Sequence, residues 1–219
     1  MTRRVESKSV RPGQSPPLPS AFFARPTVAV ARDLLGMVLV HHSPQGLAAG
    51  RIVETEAYLR DDAACHASRG LTPRTRIMFG PPGRAYLYLI YGMYHCFNVV
   101  TAPNGTGEAV LIRALEPLEG LPLMAMRRSR GKPGVAPKPG SLCSGPGKLV
   151  IALGIGMSQN GADLRKGALR ILPAEAYPRP EEASAADRNI KVTTRIGITR
   201  DAHLPLRFYP EGNPFISRK

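Results

Sequence analysis

The stretch from Arg84 to Ala114 constrains the fold of this chain most. Two strand-like runs, Arg84–Tyr91 and Tyr94–Val100, flank the link Tyr91-Gly92-Met93-Tyr94 with glycine at its tip. A third run, Glu108–Ala114, follows an Asn-Gly-Thr-Gly turn. Links this short join antiparallel neighbours, because a parallel return needs a crossover of about a dozen residues or more.

The rest of the chain is read around that hairpin. Val28, Ala31, Leu34 and Leu35 behind Pro26-Thr27, with Gly36 as a stop, predict a short helix. Met37–His42 and Gly50–Tyr58 predict a second hairpin about a Ser-Pro-Gln-Gly turn. Asp61–Gly83 reads as a polar loop containing Arg74 and Arg76. Pro117–Arg130 reads as a helix with a basic end, Lys132–Ser141 as a mobile Pro/Gly/Lys loop, and Leu149–Leu153 as a second apolar helix. Further strands are expected at Ala168–Leu172, Lys191–Ile198 and Leu206–Tyr209. Short strands with few helices and no internal repeat point to an α+β domain built on antiparallel sheet.

Charge narrows the partner. Over 219 residues, 30 Lys and Arg stand against 16 Asp and Glu, a net charge of +14 with neutral histidine. Such an excess attracts polyanions, nucleic acid first and an anionic membrane surface second. A hydrophobic content of 43% supports a folded core, and the length favours one domain. Residues 1–20 are expected to form a disordered, basic, Pro-rich tail, with Arg3, Arg4, Lys8 and Arg11 among prolines and order beginning near Phe22; 21–219 is then the domain. The tail lacks the apolar segment of a secretory signal, and no run approaches the ~18 apolar residues of a membrane span. Cys65, Cys96 and Cys143 are odd in number and widely spaced, which fits a reducing cytoplasm and disfavours a disulfide framework or a zinc knuckle.

Three segments carry candidate chemistry. In Glu54-Thr55-Glu56-Ala57-Tyr58, strand alternation puts Glu54, Glu56 and Tyr58 on one face. That face is either solvated, since unpaired buried charge is costly, or an acid/base site in which a carboxylate activates water. In Tyr86–Tyr94, alternation puts Tyr86 and Tyr88 on one face and Tyr91 on the other. These tyrosines are either half-buried sheet residues or aromatics that stack on bases or wedge between them. Ser144-Gly145-Pro146-Gly147-Lys148 at a helix start resembles a phosphate cradle, although Leu149 and the glycine spacing rule out a nucleotide-hydrolysing P-loop. His66 beside Cys65 has no second metal ligand at a usable spacing.

Seven runs together resemble the 3-methyladenine (alkyladenine) DNA glycosylase family of mammalian type. They are Arg51–Tyr58 (RIVETEAY), His66–Arg69 (HASR), Thr72–Arg76 (TPRTR), Tyr88–Tyr94 (YLIYGMY), Ala109–Gly120 (AVLIRALEPLEG), Leu142–Leu149 (LCSGPGKL) and Pro205–Tyr209 (PLRFY). The resemblance extends from about residue 27 to the C-terminus. It implies a single compact α+β domain with a curved, mainly antiparallel sheet, a protruding β-hairpin and flanking helices.

The resemblance also implies roles. Glu56 is similar to the general base that activates the attacking water, and Arg113 to the residue that helps hold that water. Tyr58 and His66 would line one side of a base pocket and Tyr88 the other. Asn98 resembles the residue that penalises a guanine 2-amino group, and Tyr91 the wedge that replaces a flipped nucleotide. Ser144, Gly145, Lys148, Arg74 and Arg76 would contact the DNA backbone. No metal or other cofactor is implied. Departures at Cys65, His95, Phe97 and Asn213 bear on base preference more than on reaction type. The expected protein is a monomeric cytoplasmic glycosylase (at the nucleoid in a bacterium, nuclear in a eukaryote), acting on double-stranded DNA with damaged purines and not on membranes. The rival is a non-catalytic basic nucleic-acid-binding module. A membrane-adhering protein would need a broad amphipathic basic helix, which only Pro117–Arg130 approaches.

Overall fold

Strand β2 (Gly46–Tyr58), 13 residues long, organises the fold. The computed structural model describes residues 16–90, 92, 94–129, 137–177 and 189–218. The other strands are β1 (Val38–Ser43), β3 (Ala85–Ile90), β4 (Tyr94–Thr101), β5 (Glu108–Glu119), β6 (Leu169–Leu172), β7 (Ile190–Thr193) and β8 (Arg207–Pro210). They form one open sheet of eight strands in the order β3-β4-β5-β2-β1-β6, with β8 joined to β2 and β7 to β8. Among the described residues all of these pairs are antiparallel.

β2 changes partner along one edge. Its first half pairs with β1 as far as Arg51, and Thr55 and Glu56 pair with β8 instead. Register shifts against β5 between Ile52 and Thr55 mark the changeover, and such bulges bend a strand. The hairpin β3–β4 projects past its neighbour: β5 pairs with β4 only over Asn98–Thr101, leaving Tyr94–Phe97 bonded to β3 alone.

Helices cover one face of the sheet. From α2 (Thr27–Asp33) come Val30 and Ala31; from α4 (Pro146–Leu153) come Leu149, Val150, Ala152 and Leu153. These pack on Ile52, Phe97, Val99, Ile112 and Leu115 in the main core. The opposite face is covered over part of its area by two 3-10 turns, His66–Arg69 and Arg76–Phe79. They place Ala67, Met78 and Phe79 against Tyr58, Tyr86 and Tyr88.

Several sequence expectations are corrected. Asp61–Gly83 is not only a polar loop, since Asp62, Cys65, Ala67, Thr75 and Met78 within it are buried. β5 runs on to Glu119 rather than ending at Ala114, and Pro117 pairs with Gly50 inside it. Beyond Leu111 the β4 ladder has ended, so Pro117 lies where a missing N–H is tolerated. The helix expected from Pro117 is therefore the shorter α3 (Leu121–Arg128). It follows Gly120 at φ 77°, where a Cβ would come within 2.2 Å of the Leu47 carbonyl oxygen. The strand expected over Lys191–Ile198 ends at Thr193. The folded part begins earlier than Phe22: Leu18 is buried in the main core and Ser20 opens the short helix α1 (Ser20–Phe23). Residues 1–15 of the expected tail, 130–136 of the loop region and the tip residue Tyr91 lie outside the described residues.

Candidate active site

Cross-strand register assembles the site. Glu56 on β2 stands opposite Leu111 on β5, Leu111 opposite Asn98 on β4, and Asn98 opposite Tyr86 on β3. One row across four strands thus carries a carboxylate, an amide and a phenol. Period-2 alternation adds Tyr58, Tyr88 and Ala109 to the same face. Above it lies a cavity of about 190 Å³ whose lining includes Tyr58, His66, Met78, Tyr86, Tyr88, Asn98, Ala109, Gly197 and Ile198. The small side chain of Ala109 leaves room for it. The sequence-derived pocket residues Tyr58, His66, Tyr88 and Asn98 are all brought together here.

Neither carboxylate is solvated; Glu54 and Glu56 are both 0% exposed. The Glu54 Oε1 accepts from Arg207 Nε at 2.7 Å, Arg113 Nε at 3.1 Å and Ser217 Oγ at 2.9 Å, and its Oε2 from the Ser217 N–H at 2.5 Å. The solvated-face alternative is therefore overturned by two arginines that the strand pattern alone does not reveal. Glu56 is held more lightly. The Ile196 N–H donates to its Oε1 at 2.7 Å, the Tyr58 hydroxyl to its Oε2 at 2.9 Å, and Arg113 Nη1 lies 3.2 Å from Oε1. Burial raises the Glu56 carboxyl above the usual carboxylate range, against the pull of Arg113, the Ile196 N–H and Tyr58.

Arg113 sits between the two carboxylates, and its Nη2 also donates to Ser217 Oγ at 3.3 Å. Among the described residues three of its five N–H donors are thus engaged and two remain. Burial of the Tyr58 phenol next to the Glu56 carboxylate pushes its pKa up, so the hydroxyl stays a donor.

The aromatic wall is pinned by polar contacts. His66 Nδ1 lies 2.9 Å from the Tyr86 hydroxyl, and Arg74 Nη2 donates to His66 Nε2 at 3.5 Å. Burial and the Arg74 charge lower the His66 pKa to about 4, so the ring is neutral near pH 7. Arg74 is exposed and lies over the Tyr88 ring at 5.3 Å, while Arg195 lies over Tyr58 at 4.7 Å. The His66 and Tyr88 rings meet edge to face with centroids 4.4 Å apart. A planar base between two faces needs about 7 Å, twice a ~3.5 Å contact, so no base fits between these two neighbouring rings. Asn98 Nδ2 donates to the Tyr86 carbonyl at 3.1 Å, fixing the amide on the pocket floor.

The backbone candidates divide. Gly145 and Lys148 line a second cavity of about 390 Å³ with Tyr94 and Arg128, at the N-terminus of α4 and beside the turn end of the β3–β4 hairpin. Lys148 Nζ reaches Ser144 Oγ at 3.5 Å. Arg74 touches the pocket residues His66 and Tyr88, but neither it nor Arg76, exposed on its 3-10 turn, is among the residues lining these two cavities. Sequence reasoning missed Asp62, Arg195 and the Ile196 N–H. The signal available was an arginine inside a run otherwise read as strand. Among the described residues no three His, Cys, Asp or Glu are grouped to hold a metal ion, and no helix is long and apolar enough to cross a membrane.

A family model described as methylpurine-DNA glycosylase (MPG) matches residues 21–214. A relative in Methanoculleus marisnigri, named as a 3-methyladenine DNA glycosylase, is 53% identical over 92% of this chain and 99% of its own. Relatives of the same name in Carboxydothermus hydrogenoformans and Myxococcus xanthus are 47% and 49% identical, each over 92% of this chain and over 99% and 93% of their own lengths. A match across nearly the whole described domain, joined to a buried carboxylate beneath an aromatic pocket, places the chain in the methylpurine-DNA glycosylase family.

Proposed function

We propose that the protein is a monofunctional DNA glycosylase that takes a damaged purine out of duplex DNA into the aromatic pocket and hydrolyses its glycosidic bond. One observation carries the reading: Glu56 is fully buried, shares a cross-strand row with the pocket floor and hydrogen-bonds through Tyr58 to the pocket wall. A base inside a duplex is out of reach, so the nucleotide must be extruded, at least cost when it is damaged or mispaired. Tyr91 at the hairpin tip would fill the vacated stack.

In the bond-breaking step, Glu56 accepts a proton from water, the water oxygen bonds to C1′, and the C1′–N bond breaks with its electron pair going to the base. Arg113 favours the ionised form of Glu56, and its two remaining donors hold the water. A 3- or 7-alkylated purine is cationic and leaves as a neutral base. Tyr58, His66 and Tyr88 attract it through their ring faces, and Asn98 disfavours a 2-amino group. Neutral lesions such as hypoxanthine or ethenoadenine would need added protonation. None of the residues lining the pocket is a lysine, which supports direct hydrolysis over a Schiff-base route. Carboxylate, pocket and basic cavity are complete within one chain, in keeping with a monomer. Such an enzyme works where genomic DNA lies: in the cytoplasm at the nucleoid, or in the nucleus.

The deciding experiment is incubation with duplexes carrying 3-methyladenine, 7-methylguanine, hypoxanthine or ethenoadenine, scored by free base and alkali-labile sites. Release of the alkylated bases by the native protein and none by Glu56→Gln is expected. Binding without release would favour the non-catalytic module.

A further inference from the structure

We propose that Arg195, locked by Asp62, is a positioning residue for base release: it sets the Tyr58 ring and the Ile196 N–H against the Glu56 carboxylate. The inference rests on the reading of Glu56 as general base.

Arg195 and Asp62 form a fully buried pair, with side chains 0% and 1% exposed. Nη2 of Arg195 donates to Asp62 Oδ1 at 2.9 Å, and Nη1 donates to Asp62 Oδ2. Nη1 also donates to the carbonyl of Ala57, the residue between Glu56 and Tyr58, at 3.1 Å. Nη2 reaches the Asp201 carbonyl at 3.3 Å. The guanidinium lies over Tyr58, and the next residue in the chain, Ile196, supplies the N–H at 2.7 Å from Glu56 Oε1. Two of the three donors on Glu56 therefore depend on one planar group.

That arrangement suits positioning better than stabilisation. Desolvating two charges offsets most of what they gain from each other, so a buried pair adds little net stability over an apolar replacement. A bidentate guanidinium instead fixes direction, which an ammonium does not. Asp201 reinforces it by accepting the Ala63 N–H at 2.7 Å, tying the segment after β2 to the one after β7. The latter segment also carries Gly197 and Ile198 of the pocket lining.

The groups facing Glu56 are Tyr58 on its own strand, Arg113 on β5, Tyr88 on β3, Cys96 on β4 and Arg195 itself. Loosening Arg195 withdraws the Ile196 and Tyr58 donors while Arg113 remains. Glu56 then ionises only at a higher pH.

The test is single-turnover release of 7-methylguanine from a duplex at saturating enzyme, from about pH 5 to pH 8. That base is already cationic, so the acid limb reports the carboxylate rather than protonation of the leaving group. Arg195→Lys keeps the charge; Arg195→Met with Asp62→Leu replaces the pair by apolar groups and guards against misfolding of the first. In both, the acid limb should move up by about one pH unit, a roughly tenfold loss below it, with duplex affinity within about twofold of native. A limb that coincides with the native one overturns the proposal even if the plateau falls, as does failure of both variants to fold. Glu56→Gln separates the two readings. Retained release there removes the general-base role itself, whereas an inactive Glu56→Gln with unmoved limbs removes only the positioning role.

Discussion

Glu54 and Glu56 lie two residues apart on β2, both fully buried, yet Glu54 is held by two guanidinium groups and Ser217 while Glu56 shares one guanidinium with it. The two carboxylates should therefore fail differently. Glu54→Gln leaves Arg207 without its counter-charge and Arg113 with Glu56 alone, and should cost about 3–5 kcal/mol in urea unfolding. Glu56→Gln should unfold near the native midpoint and lose about 10²- to 10⁴-fold in base release. Equal stability losses, or a greater loss of release from Glu54→Gln in protein shown to be folded, would reverse the assignment.

His66 makes stability depend on pH. Its folded pKa of about 4 lies below the ordinary 6.5, so the unfolded chain binds more protons between those values. Its contribution is fully present above about pH 6.5 and is lost as the pH falls towards 4. Urea midpoints measured at about pH 7.5 and pH 4.5 should differ more for the native protein than for His66→Asn. Arg74→Ala should raise the His66 pKa, read from the ring-proton NMR shift, because a like charge beside the ring is removed.

The face of the site could be read from alternation, but its depth could not. Glu54, Glu56 and Tyr58, like Tyr86 and Tyr88, follow from a two-residue period. Local sequence does not say that the 3-10 turns at 66–69 and 76–79 will cover that face, so the same pattern served a solvated strand equally well. Arg195 escaped because its partner Asp62 is 133 residues away in sequence. Its neighbours Thr194 and Ile196 look like strand until the Ile196 N–H is needed by Glu56 instead of a ladder. Pro117 reads as a helix start because nothing nearby in the sequence shows that β4 has already left the edge beside it.

The hairpin gives a third test. β3 and β4 run past the end of the β4–β5 pairing, and Gly92 at the turn adopts φ 67°. A residue at such a tip can enter a duplex without moving the sheet. Tyr91→Ala should weaken binding to a duplex carrying a damaged purine by about 1–3 kcal/mol and change affinity for single strands less. Unchanged affinity for the damaged duplex would remove the wedge role.

Salt separates the charges that hold DNA from those that act on it. Each phosphate neutralised by a lysine contributes about 0.9 to the slope of log affinity against log salt. Lys148 lines the basic cavity beside the hairpin, so Lys148→Ala should reduce the slope by about one and weaken native and damaged duplexes alike. Deleting residues 1–15 removes Arg3, Arg4, Lys8 and Arg11 against Glu6, a change of 4 − 1 = 3 charges from the total of +14. Affinity should fall and the slope flatten, while base release at saturating enzyme stays at the native rate. If release disappeared at saturation, the tail would have to act at the site itself, and the division between a charged surface that finds DNA and a buried carboxylate that cuts would fail.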